Sequence, residues 1–186
     1  HAVEYLLKKG HQRIGWVGPV RGLAHYRERF AGARAALSDA GRDFAPELVG
    51  EAPDNTAAES AFELASAMLR GRGRPTALVC MWLEMALGAA RALREAGLKV
   101  GGDVELVAWA TEREYREILA PEFLGGEVPA AVVWRPEEMA ELALERLELR
   151  ARHPAAPAAR IDVRVQLVEP QSAESVLKRG ARRRGR

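Results

Sequence analysis

The sequence predicts an α/β fold: a parallel-sheet, three-layer α/β sandwich. Two observations carry this. Short apolar runs, each long enough for a buried strand, alternate with helix-length amphipathic stretches, the pattern of βαβ units whose sheet is covered on both faces. Glycines punctuate the helix ends, where a left-handed cap conformation is needed. The 186 residues, 48% apolar and 29% charged, suffice for one substantial core.

The elements follow in order. Ala2 to Lys9 reads as a helix stopped by Gly10, and Ile14 to Val17 as a buried strand ending in Gly18-Pro19. Tyr26 to Ala40 reads as a helix stopped by Gly41; Leu48 to Ala52 is a weak strand. Thr56 and Glu59 have the spacing of a capping box, in which hydroxyl and carboxylate each satisfy a free backbone N–H, and the helix they open runs to Arg70. Ala77 to Met81 is a strand, Glu84 to Ala96 a helix stopped by Gly97, and Val104 to Trp109 a strand. A Glu-rich stretch with Gly125, Gly126 and Pro129 as breakers follows. Ala131 to Trp134 is a short strand, and Pro136 opens a helix to about Arg150, with Glu137 and Glu138 at the positive end of its dipole. His153 to Ala159 reads as a loop and Ile161 to Val168 as an edge strand. The chain opens in mid-pattern at His1, as a fragment would.

Charge and cysteine content narrow the function classes. A net charge of +2 points to no strongly acidic or basic partner; the basic excess sits at Lys178 to Arg186, which reads as a solvated, disordered tail. Cys80 is a lone cysteine amid Leu78, Val79 and Met81, a buried strand thiol, in keeping with a reducing compartment. No apolar run reaches membrane-spanning length and no signal peptide opens the chain. No Gly-x-Ser-x-Gly elbow occurs, and His1, His11, His25 and His153 lack metal-ligand spacing, so no enzyme activity, cofactor or metal is expected.

A ligand site is expected beyond the carboxyl ends of the parallel strands. Trp82, Trp109 and Trp134 fall there, each offering a flat apolar face and one N–H donor. Any one of these rings could fill a core or a subunit interface; together they read as a lined cleft. Trp16, inside its strand, reads as core. The loop after the first strand brings Arg21, His25, Tyr26, Arg27 and Arg29 to the same end, and guanidinium groups there can fork onto hydroxyls or carboxylates. Arg21, His25 and Arg29 join the tryptophans as candidate ligand-binding residues.

Specific motifs sharpen this. Gly10-His11-Gln12-Arg13-Ile14-Gly15, Gly18-Pro19 and Arg29-Phe30-Ala31-Gly32 are followed by Pro75-Thr76-Ala77, Met85-Ala86-Leu87-Gly88, Ala96-Gly97-Leu98 and Val100 to Val107. Their order and spacing resemble the LacI/GalR family of transcription regulators, from His1 to about Ser172. The resemblance implies a two-lobed, periplasmic-binding-protein-like sensor with effector between the lobes. Residues 1–128 would form the C-terminal effector-binding lobe, 129–160 a crossover segment belonging to the N-terminal lobe, 161–172 the closing strand, and 173–186 the basic tail. It implies a cytoplasmic homodimer that binds a sugar or related small molecule and contacts operator DNA through a helix-turn-helix domain absent from this chain. The Met85–Ala96 helix is a candidate dimer surface. Met139, Leu142, Ala143 and Leu147 would be partly exposed without the other lobe. Arg29 matches the family arginine that reaches the effector. The family's effector-binding Asp falls at Leu83, and Ala110 and Thr111 stand where acidic residues are common. The competing reading is a periplasmic sugar-binding protein of an ABC transporter, which shares the fold.

Overall fold

A computed structural model describes residues 1–52 and 58–184, with side chains as far as Lys178. The main sheet contains β1 (Ile14–Val17), β2 (Val49–Gly50), β3 (Ala77–Cys80), β4 (Glu105–Thr111), β6 (Ala130–Trp134) and β7 (Gln166–Val168), in the order β2-β1-β3-β4-β6-β7. Every pairing is parallel except β6 with β7, which is antiparallel and closes one edge. A second, two-stranded antiparallel sheet joins β5 (Glu127–Val128) to β8 (Gln171–Ser172).

The helices are α1 (Ala2–Lys8), α2 (Ala24–Asp39), α3 (Ala58–Arg70), α4 (Leu83–Glu95), the single turn α5 (Glu112–Glu114), α6 (Pro136–Arg152) and α7 (Ala173–Arg184). Neighbouring residues of β1 show how they are layered. The Trp16 ring packs on Phe30 of α2, at 5.3 Å, whereas Gly15 faces Met68 of α3. Successive strand residues point to opposite faces, so α2 and α3 cover opposite sides of the sheet. α1 packs with α2, and α3 with α4, giving three layers. The α3–α4 contact is close enough that a Cβ at Gly88 would collide with the Ala58 carbonyl oxygen. That explains a glycine inside a helix, where it otherwise costs stability. Gly10 and Gly97, at φ 88° and 71°, turn the chain out of α1 and α4 as expected.

Several expectations need correction. Residues 173–184 are helical, not a disordered tail: Ala173 and Val176 are buried, and Glu174 accepts a hydrogen bond from the Gly125 N–H at 3.1 Å. The Ile161–Val168 strand shrinks to Gln166–Val168, because the alternating side chains before it meet no partner strand. The Glu-rich stretch is turn-rich, with α5 followed by a π-type turn and a 3-10 turn. A capping box occurs there, at Thr111 and Glu114, with bonds of 3.1 and 2.7 Å. Thr56, of the expected capping box, lies outside the described residues.

The lobe core is continuous, and Trp16, Cys80 and Leu83 all lie in it. Burial pushes the Cys80 thiol pKa far up, as expected for an inert thiol. α6 stands apart: it has no buried residue, and Met139, Leu144 and Leu147 are 48%, 61% and 66% exposed. Among the described residues no helix is long and apolar enough to cross a membrane.

Candidate functional site

The carboxyl ends of β1 and β3 deliver Gly18 and the Met81-Trp82 pair to one rim; β4 runs past its expected end to Thr111, which leaves Trp109 two residues inside the strand. Arg29 lies one turn into α2, and its side chain reaches back over the sheet. Its guanidinium carbon sits 4.4 Å from the Trp82 ring centroid and 4.0 Å from that of Trp109. Each contact is a cation–π interaction, worth roughly 0.5–2 kcal/mol depending on desolvation. Trp82 is held by edge contacts with His25 and Tyr26, at 6.0 and 6.2 Å, and His25 packs on Tyr26 at 4.3 Å. The assembly is Arg29 flanked by two indoles and braced by two further rings.

Its polar atoms are unusual. Arg29 Nη1 and Trp109 Nε1 are both buried and, among the described residues, have no hydrogen-bond partner. Burial without an acidic partner pulls the Arg29 pKa down, against an opposing contribution from Tyr26. Buried donors are nearly always satisfied in folded proteins. Two unsatisfied ones in the same stacked assembly therefore mark a place where an acceptor is expected. Both residues line a cavity of about 210 Å³ between α2 and the sheet, whose walls include Ala33, Ala36, Val79 and Val132.

The other expected residues are placed differently. Arg21 lies in the rim loop with its side chain 83% exposed, in an ion pair of 3.4 Å with Glu51. Trp134 ends β6, and the parallel register sets it opposite Thr111, on the same sheet face as Trp109. Among the described residues it makes no ring contact with Trp82 or Trp109, so it stands beside the assembly and not within it. Leu83, where the resemblance places the family's Asp, is 3% exposed and part of the core. Thr111 caps α5. Sequence reasoning passed over Tyr26 as a member of the assembly, although its position three residues before Arg29, one helical turn away, was a usable signal.

Residues 3–173 match the family model described as a periplasmic binding protein-like domain. The chain belongs to that family. Within it, the chain resembles regulators of the LacI/GalR type. It is 32% identical over 108 residues to the HTH-type transcriptional repressor PurR of Actinobacillus pleuropneumoniae, covering 58% of this chain and 32% of the repressor. It is 35% identical over 111 residues to the HTH-type transcriptional regulator GalR of Escherichia coli, covering 58% of this chain and 31% of that protein. A crystal structure of a regulatory protein of the LacI family from Chloroflexus aggregans superposes with a TM-score of 0.79 at 21% identity, covering 92% of this chain and 59% of the other. The chain thus spans about a third of the length of these two curated relatives.

Proposed function

We propose that this chain is the effector-sensing lobe of a LacI/GalR-type transcription regulator. The observation that carries the proposal is the Arg29 guanidinium stacked between Trp82 and Trp109 with a buried, unpartnered nitrogen at the carboxyl end of the parallel strands. A structural arginine would be paired; a receptive one waits for an acceptor. The effector is a sugar-sized small molecule, and the rest of its site comes from a second lobe; of the expected crossover segment 129–160, β6 lies in this lobe's own sheet and core, so the crossing begins with α6. The unpacked apolar side chains of α6 support that crossover, since Met139, Leu144 and Leu147 need a covering surface. The full protein works as a cytoplasmic homodimer and reads operator DNA through a separate helix-turn-helix domain; the α4 face expected as the dimer contact is instead buried in the lobe's own core, with Ala86, Ala89, Ala90 and Leu93 all inaccessible. It has no catalytic role. The regulator reading is favoured over a transport-type binding protein because the relatives are regulators.

Mechanistically, effector acts through unequal affinity for two lobe arrangements, one of which sets the DNA-binding heads to the operator spacing. A coupling of about 1–3 kcal/mol suffices for a 5- to 150-fold change in operator affinity. The test is fluorescence anisotropy of the full-length protein on DNA from upstream of its own gene. Saturable, salt-dependent binding is expected. Absence of sequence preference for that DNA would contradict the proposal.

A further inference from the structure

The charge of the rim says which class of effector it takes. Several described carboxylates near the strand ends are already engaged, while Glu84, at the start of α4, is exposed and makes no ring or ion-pair contact with the Arg29 assembly among the described residues. Glu28 pairs with Arg160 at 3.4 Å, Glu51 with Arg21 at 3.4 Å and Glu112 with Arg135 at 3.9 Å, and Glu114 accepts from the Thr111 N–H at 2.7 Å. The position that resembles the family's acidic effector ligand holds Leu83, turned into the core. Against this, Arg29 and Trp109 each present a buried donor with no partner. A neutral sugar brings hydroxyls that need acceptors of their own and no charge to offset a buried guanidinium that has no acidic partner among the described residues. A carboxylate accepts only, and it matches both the charge and the fork geometry of a guanidinium.

We infer that the effector is an organic carboxylate whose oxygens take the free donors of Arg29 and Trp109, with a compact body against the apolar wall of the adjoining cavity. That wall is built from Ala33, Ala36, Val79, Met81 and Val132. At about 210 Å³ the cavity is below the ~300–1,000 Å³ of sites for drug-sized ligands, so the body is small. The inference rests on the sensing proposal and adds the ligand's charge class to it.

The test is calorimetric titration of the full-length protein with two matched pairs: benzoate against benzamide, and D-galacturonate against D-galactose. At least one acid is expected to bind saturably and about tenfold or more tighter than its neutral partner, the scale of a charge-assisted contact. That preference is expected to vanish in Arg29→Met, and Trp109→Phe, which keeps a ring but removes the donor, is expected to weaken the acid several-fold. Near-ultraviolet circular dichroism checks that each variant is folded; should Arg29→Met not fold, the Trp109→Phe result decides. Equal binding of acid and neutral partner overturns the inference, as does an acid preference that survives the variants. Saturable binding of galactose with neither acid bound overturns the charge class and leaves the sensing proposal standing. No saturable binding of any of the four overturns the inference, and the sensing proposal is then decided separately by its DNA-binding test.

Discussion

The two ends of the main sheet treat buried charge in opposite ways. At the amino end, Glu105 opens β4 at 3% exposure, yet Lys9 Nζ lies 2.6 Å from one of its oxygens and the Tyr5 hydroxyl donates to the other at 3.2 Å. At the carboxyl end, about 13 Å further along the same strand by the ordinary rise per residue, Trp109 and Arg29 hold buried donors with no partner among the described residues. The first arrangement is closed and supports the fold. The second is open, an arrangement that costs stability and that the proposed effector would complete. The same physical rule, that buried polar groups must be paired, thus separates a structural cluster from a receptive one.

The comparison can be broken most forcefully at the closed end. Lys9→Met is expected to destabilise the chain by about 2–4 kcal/mol in urea unfolding, since it leaves a buried carboxylate without its cation; the value is set slightly below that for a fully buried pair because Lys9 is partly exposed. Removing both charges in Lys9→Met/Glu105→Leu is expected to recover most of that loss. At the open end, Arg29→Ala is expected to weaken effector binding in the full-length protein by about 1.5–3 kcal/mol, measured by calorimetry with the best-binding of the four probes above. Its effect on folding is expected to stay within about 1 kcal/mol, because lost ring stacking is offset by relief of an unpaired buried donor. A large folding loss with unchanged affinity would reverse the assignment of the two ends. The smallest effect concerns pH. Burial holds the His11 imidazole, near Lys9 and Glu105, below its usual pKa. The unfolded chain therefore takes up the proton first, and stability falls as pH drops through about 6.5. Urea midpoints between pH 7 and 5.5 are expected to show this fall, and His11→Gln to reduce it.

Much of the lobe was legible in the sequence because its signals are local. Apolar runs marked β1, β3, β4 and β6, and glycines with left-handed backbone marked the ends of α1 and α4. Arg29 and the rim tryptophans could be placed because strand ends in a parallel sheet share one edge. What depended on distant pairing was not legible. Alternation made Ile161 to Val165 look like strand, but only Gln166–Val168 finds β6. The basic composition of α7 hid a helix anchored by Ala173 and Val176 on the lobe. Arg21 and Trp134 carry suitable chemistry, yet Glu51 claims one and the other stops beside the stacked assembly. That Arg29 is stacked between two indoles with no acidic partner among the described residues is a property of neighbours in space, and no single motif announces it.

The most direct measurement is tryptophan emission from a full-length Trp16→Phe/Trp134→Phe variant, so that within this lobe Trp82 and Trp109 report alone, titrated with benzoate and with D-galacturonate. The account predicts a saturable change in emission at the affinity found by calorimetry, abolished by adding Arg29→Met. Binding seen by calorimetry with no change in emission would place the ligand elsewhere and contradict it.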